Sequence, residues 1–299
     1  MGLPPRVVVV HRRTEYEELI ARHSTRQQVG FFLAQRDRTL DEVEQRHAAQ
    51  HDAAKQVFAA IPLDWRRGEV ERNDLNRFVF GPEDVIVAVG QDGLVANVAK
   101  YLAGQIVVGV NPEPERNPGV LVRHAPTEIE ALLPRAVAPT TDTVVQSRVM
   151  VSAALDDGQR LSALNEVYVG HRSHQSARYV LQTPKGATER HSSSGVLVGT
   201  GTGATGWCRS AWQERKSPVE LPSPDQAALS WFVREAWPSP GTGVEHVVGL
   251  LGGGSGLELR CESDELVAFG DGIEGDRLLI GWGQSISVGV SPRILRTLR

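Results

Sequence analysis

Over roughly the first 135 residues, short β-branched runs alternate with stretches of helical period. Residues 7–10 are four consecutive valines, and the run predicts a strand covered on both faces. A helix is predicted over 15–22. Leu40, Val43, Val57, Phe58 and Ile61 fall at spacings that form one apolar stripe, so a longer helix is predicted over 40–60, stopped by Pro62. Val85-Ile86-Val87-Ala88-Val89 is uninterrupted and apolar, as a buried parallel strand should be. A helix over 94–102 and a strand over 105–110 complete a β-loop-α-β unit. That unit predicts a Rossmann-like α/β domain with ligands at the carboxyl ends of its strands.

Past the proline-spaced stretch 134–139 the pattern changes. Strands are predicted at 144–145, at 148–152 and at 161–164, with a hairpin turn at Asp156-Asp157-Gly158. More follow at 177–181, 195–198, 247–251, 257–261, 265–269 and 277–280. Close Gly and Pro punctuation predicts an all-β sandwich, with one helix starting near Thr205. Gly252-Gly253-Gly254-Ser255-Gly256 reads as a wide surface hairpin in preference to a mobile lid. The predicted organisation is an α/β domain over 1–138, a β-sandwich over 139–285, and a closing segment, 286–299, that returns to the first domain.

Composition narrows the function. The 299 residues are 40% hydrophobic and 23% charged, with a formal net charge of -4. Nucleic-acid binding needs a clustered basic surplus, which this balance does not offer; Arg12-Arg13 and Arg66-Arg67 read as solvated surface. Cys208 and Cys261 stand alone, without a disulfide or zinc spacing. No run reaches the length of a membrane span, and the N-terminus lacks the order of a signal peptide, so a cytoplasmic protein is expected.

Four motifs are candidates for chemistry. Gly90-Gln91-Asp92-Gly93 follows the strand 85–89. Its glycines allow a sharp turn and close approach of an anion, and a following helix offers unpaired N–H groups to phosphate. Asp92 there is either a reactive carboxylate or a cap for the helix beginning near Leu94. Asn165-Glu166 puts an amide beside a carboxylate, on opposite faces if both lie in a strand. Residues 193–207 run from a strand through Thr200-Gly201-Thr202-Gly203-Ala204-Thr205-Gly206 into Trp207, where small residues clear space and hydroxyls and N–H groups supply hydrogen bonds. Phe269-Gly270-Asp271-Gly272 reads as a hairpin turn in preference to a ligand-facing acid.

In this order the first three motifs resemble the NAD kinase family, which carries a Gly-Gly-Asp-Gly-Thr loop, an Asn-Glu pair and a Gly- and Thr-rich strand-to-helix loop. The similarity is greatest to the divergent mitochondrial type, through Val110-Asn111-Pro112-Glu113-Pro114-Glu115-Arg116 and the Ser-Ser-Gly strand leading to Thr-Gly-Thr-Gly at 193–203. Gln91 and Leu94 depart from the family, standing where it keeps a glycine and a threonine.

The resemblance implies an α/β domain of NAD kinase type plus the β-sandwich, with ATP as phosphate donor, Mg²⁺ as cofactor, NAD as substrate and a homodimer. It implies Asp92 as the base that activates the adenosine 2′-hydroxyl of NAD. Gly90, Gln91 and Gly93 would shape the loop around nucleotide. Asn165 and Glu166 would contact the NAD ribose, Thr200, Thr202, Gly203 and Thr205 would surround nucleotide, and Asn111 would line the nearby pocket. Two alternatives stay open: a kinase of the same fold acting on a sugar, nucleoside or lipid hydroxyl, and a non-catalytic NAD- or ATP-binding regulator.

His47 and His51 are one helical turn apart and could ligate a metal. Set among Arg46, Gln50 and Asp52, they read as a solvated helix face, and no metal ligand is assigned. His171 and His174 read as loop residues, and Trp207, Trp212 and Trp231 as core or interface.

Overall fold

The computed structural model describes residues 3–140 and 145–299, in two compact units. The first comprises the chain up to Gln146 together with Arg296–Arg299, and the second Ser147–Leu295.

The first unit opens with β1 (Arg6–His11), α1 (Glu15–His23), α2 (Arg26–Ala34) and α3 (Leu40–Ala60). It continues through β2 (Arg66–Glu71), β3 (Val85–Val89), α4 (Asp92–Ala99), β4 (Ile106–Val110) and α5 (Ile129–Val137). Thr14, Thr25 and Thr39 cap the first three helices by accepting the N–H three residues on, which is why each starts where it does. At Thr14 the cap is reciprocal, because the Glu17 carboxylate accepts the Thr14 N–H at 2.7 Å.

The strands pair in parallel in the order β2-β1-β3-β4, and Arg296 and Thr297 of the last strand add beside β4. β3 and β4 are buried along their whole length. On one face Val7, Val9, Val87 and Val108 pack with Val57 and Ile61 of α3 and Ile129 and Leu133 of α5. The period-2 alternation of strands sends Val8, Val10, Ile86 and Val107 to the other face, and α4 also packs against this sheet. Pro134, expected to mark a break, lies inside α5. Among the described residues, no helix is long and apolar enough to cross a membrane.

The second unit is a β-sandwich, in agreement with the expected all-β class. It contains β5 (Val145–Leu155, entered from the end of the first unit), β6 (Arg160–Ala163), β7 (Glu166–Gly170), β8 (Ala177–Gln182), β9 (Thr188–Ser193) and β10 (Gly195–Gly199). Then come α6 (Trp207–Glu214), β11 (Ala228–Arg234), β12 (Val248–Gly252), β13 (Gly256–Cys261), β14 (Glu265–Gly270), β15 (Ile273–Gly281) and β16 (Ser285–Leu298). One sheet is antiparallel in the order β12-β11-β10-β7-β14-β15; the other contains β16, β13, β8 and β9, with β5 and β6. Val151, Val169, Tyr179, Val198, Trp231 and Leu259 belong to the buried cluster of the sandwich.

Two expectations change. β12 pairs with β11, whereas β13 pairs with β16 and β8, so residues 252–256 cross between the sheets and form no hairpin. Of the strand expected at 144–145, Val144 lies outside the described residues and Val145 begins β5.

One glycine of β4 holds the first unit's loops together. A Cβ at Gly109 would collide with the Leu121 carbonyl oxygen and come within 2.8 Å of the Val122 Cα. The Gly109 carbonyl also accepts the His124 N–H at 3.1 Å. Gly109→Ala is therefore expected to lower stability by about 1–3 kcal/mol. Urea unfolding checks this, and an unchanged midpoint and slope would contradict the packing.

Candidate active site

Strand order decides where a ligand fits in the first unit. The chain steps outward from β1 to β2, then returns to the other side of β1 as β3. Connections therefore leave β1 and β3 in opposite directions, and a crevice opens outside their carboxyl ends. A cleft of about 330 Å³ lies there, lined by Arg12 and Arg13 after β1, Gly90 and Gln91 after β3, and Asn111 after β4. Arg46, His47 and Gln50 of α3 form another wall, and the Gln50 side-chain N–H donates to the Val89 carbonyl at 2.7 Å.

The loop after β3 does not use Asp92 as the helix cap. Gln91 occupies the N-cap position, without a side-chain capping bond, and Asp92 is the first helical residue. The Asp92 carboxylate turns to the chain after β4: Oδ1 accepts the N–H groups of Leu121 at 2.8 Å and Val122 at 3.0 Å, and Oδ2 accepts that of Val120 at 2.8 Å. Gln91 is exposed on the cleft, whereas Leu94 is buried with a side-chain carbon 3.2 Å from where a Cβ on Gly90 would stand. Gln91 and Leu94 thus face opposite ways, one to the cleft and one into the core. Gly93 is exposed, and a Cβ on it would meet nothing within 4 Å.

Asn111 is buried and organises its own loop. Its amide donates to the Asn117 carbonyl at 2.6 Å and its oxygen accepts the Glu113 N–H at 3.0 Å. The cleft is rich in charge. Arg46 lies 3.5 Å from Glu15 and 3.8 Å from Glu113, and Arg13 lies 3.2 Å from Glu71.

In the second unit Asn165, Glu166 and the Gly/Thr loop come together, and the acid Asp271 holds the bend that carries the pair. Asn165 lies in the bend before β7, not in the strand as expected, because the Asp271 carboxylate accepts the N–H groups of Leu164 and Asn165 at 2.7 Å and of Glu166 at 3.4 Å. Asp271 sits in the predicted β14–β15 turn at φ 52°. Thr200 is fully buried: its hydroxyl donates to the Leu164 carbonyl at 2.6 Å and accepts the N–H groups of Thr202 and Gly203 at 3.1 and 3.3 Å. Gly203 is required by packing, since a Cβ there would strike the Asn165 carbonyl. Thr202 is also buried and accepts from Arg148 at 3.4 Å. Thr205 is exposed, in a 3₁₀ turn that precedes α6, so the helix begins two residues later than expected.

Burial pushes the Glu166 carboxyl up to about 7, and the charge of Asp271 adds to the shift. Burial likewise raises the Cys208 thiol, helped by Glu166, which makes it a poor nucleophile at neutral pH.

No family model matches the chain. A segment of 130 residues is 32% identical to the NAD kinase of Methanoregula boonei, covering 43% of this chain and 46% of that protein. The match therefore spans less than half of the relative's length. In structure, the chain is similar to the NAD kinase from Archaeoglobus fulgidus in complex with ATP, with a TM-score of 0.57 and 18% identity over 98% of this chain and 93% of that one. The chain has the NAD kinase fold.

Within this NAD kinase fold, two features of the candidate site escaped the sequence reading. Arg12 and Arg13 are exposed, as the solvated-surface reading expects, but they also line the cleft, and their place at the carboxyl end of a buried parallel strand was the available signal. Asp271 read as a turn residue only; its reach of over 100 residues to 164–166 leaves no local trace.

Two outcomes follow. Asp92→Ala should speed amide exchange at Val120, Leu121 and Val122 and cost about 1.5–3 kcal/mol, as expected for hydrogen bonds to a charged group. Hydrogen exchange with urea unfolding checks it, and unchanged protection at those amides would contradict the assignment. For Glu166, the folded carboxyl keeps its proton up to about pH 7, whereas the unfolded one releases it near 4.5. Its stabilising contribution is present at low pH and is lost as pH rises through 7. Between pH 5 and 8, wild-type stability should fall by about 2–3 kcal/mol relative to Glu166→Gln. A flat difference would show an ordinary carboxylate.

Proposed function

We propose that the chain is an NAD kinase-like phosphotransferase, moving the γ-phosphoryl group of ATP to the adenosine 2′-hydroxyl of NAD to give NADP. The observation that carries this reading is the anchoring of Asp92 at the end of β3, beside a cleft at the switch point. A carboxylate has about four lone-pair sites, and three on Asp92 are filled by backbone N–H groups. The remaining site, on Oδ2, suits a substrate hydroxyl, and the three donors hold it in place.

In this reading the 2′-oxygen attacks the γ-phosphorus, the bond to the β–γ bridging oxygen breaks, ADP leaves, and the hydroxyl proton passes to Asp92. Arg12, Arg13 and Arg46 and the N-terminus of α4 supply positive potential for the triphosphate. The bare surface of Gly93 permits close approach of a phosphate oxygen. Mg²⁺ bound with the triphosphate would supply charge neutralisation, and Asp92, with three backbone N–H groups on its carboxylate, would leave its coordination to the phosphates and water. The family resemblance assigns Asn165 and Glu166 to the NAD ribose; within the second unit Thr200 supports the Gly/Thr loop from beneath, and the Thr205 hydroxyl donates to the Thr202 carbonyl at 3.0 Å.

The test is NADP formation by purified protein with NAD, ATP and Mg²⁺, followed with an NADP-specific dehydrogenase. Gly93→Ala should keep the wild-type Tm, since the added methyl meets no protein atom, yet lower kcat/KM at least about tenfold by obstructing phosphate. Asp92→Asn should lower kcat by about 10²-fold or more. Undiminished turnover in that variant would remove the assigned base. ADP release only with a sugar, nucleoside or lipid acceptor would reassign the substrate, and binding of NAD or ATP without transfer to any acceptor would make the protein a regulator.

A further inference from the structure

α1 and α3 bring Glu17 to His47 and His51, which lie 30 and 34 residues further along the sequence. A nitrogen from each of His47 and His51 and an oxygen of Glu17 lie within 4.8 Å of one another. His51 Nε2 is 3.4 Å from Glu17 Oε1. The two imidazoles, four residues apart on α3, meet edge to face with ring centroids 4.5 Å apart.

The capping box of α1 orients this group. Glu17 Oε2 is held by the Thr14 N–H at 2.7 Å and lies 3.1 Å from the Thr14 hydroxyl, which leaves Oε1 towards His51. His47 Nδ1 is 2.8 Å from the same hydroxyl. One arrangement satisfies every partner: Nδ1–H of His47 donates to Thr14 Oγ1, and Thr14 O–H donates to Glu17 Oε2. The His47 lone pair then resides on Nε2, the state a metal ligand needs. A histidine and a carboxylate fixed through their far atoms by a shared hydroxyl have the outer support that metal ligands require.

We propose that Glu17, His47 and His51 form a site for a divalent transition metal of the Zn²⁺, Co²⁺ or Ni²⁺ class, which ties α1 to α3. Two nitrogens and one carboxylate oxygen suit these borderline ions better than Mg²⁺ or Ca²⁺, which prefer all-oxygen shells. Bonds of about 2.0–2.1 Å put the donors of a tetrahedral site about 3.3 Å apart. Side-chain rotations suffice to close the present spacing, because Glu17 and His51 are 39% and 51% exposed. A fourth position stays open for water or an anion. Thr14 and His47 also line the cleft, so the ion stiffens one of its walls. Arg46 is the cation next to His47, and Glu15 and Glu113 offset its charge. The site stands independently of the kinase reading.

The test is titration of chelator-treated full-length protein with Co²⁺ and Zn²⁺, read by calorimetry, the Co²⁺ visible spectrum and Tm. Wild type should take up one equivalent at micromolar concentration, develop the intense bands of a four- or five-coordinate Co²⁺ ion, and melt at a higher temperature. His51→Gln and Glu17→Gln should weaken binding at least about tenfold and remove the Tm rise, whereas His174→Gln should behave as wild type. Retained affinity in His51→Gln, or uptake only at millimolar metal with a weak octahedral spectrum, would overturn the proposal. His51→Gln alters an exposed side chain, so circular dichroism before titration should report an intact fold.

Discussion

The carboxylate of Asp92 joins the chain after β3 to the chain after β4, and the form of the first unit's ligand-facing end depends on that bond set. Val120, Leu121 and Val122 present three consecutive N–H groups that no strand partner satisfies, and one charged side chain accepts all three. Without it, three donors would need other partners and the segment after Asn117 would lose its fixed distance from α4. Gly109 supports the same contact from below by letting the Leu121 carbonyl approach the β4 backbone. A loop acid that serves catalysis in the proposed reaction is therefore also a structural anchor, and a variant at Asp92 has to be read through both roles.

The second unit repeats the device with a different acid. Asp271, in a turn at positive φ, accepts the N–H groups of residues 164–166 and fixes the bend that carries Asn165. Thr200 then fastens the Gly/Thr loop to the same bend through Leu164. Glu166 is brought close to the Asp271 charge and buried beside Cys208, and its proton is held to near-neutral pH as a consequence. Burial is the larger cause of that pH response, and the charge of Asp271, about a hundred residues away in sequence, adds to it.

Elements with a strong apolar signature were legible. The valine run of β1, the buried β3 and β4 and the stripe of α3 carry enough hydrophobic information to specify type and extent, and α3 spans the predicted 40–60. Some overlooked elements have polar or mixed sequences, whereas α5 and the buried β11 are apolar and were missed all the same. β2 is Arg-Arg-Gly-Glu-Val-Glu on the sheet edge, and β9 is Thr-Glu-Arg-His-Ser-Ser, paired only with β8. Such strands are stabilised by ladder bonds to a neighbour, and the hydrophobic pattern does not record those bonds. The 252–256 segment was misread for a related reason: two nearby strands with a glycine-rich link look like a hairpin whether they share a sheet or not.

By itself the sequence determined the α/β-then-β division, the principal strands, and the succession of Gly-Asp-Gly, Asn-Glu and Thr-Gly motifs behind the family resemblance. These are local properties, set by burial period and by small or polar residues within a few positions of one another. Tertiary structure decided what the residues do. It turned Asp92 from a possible cap into an acceptor for 120–122, sent Gln91 to the cleft and Leu94 to the core, and gathered Arg12, Arg13 and Arg46 around one opening. It also set Glu17 against a histidine pair that looked like ordinary helix surface. Hydrogen bonds and ligand geometry act over about 3 Å in space, whatever the distance along the chain, so only folding reveals which polar groups meet.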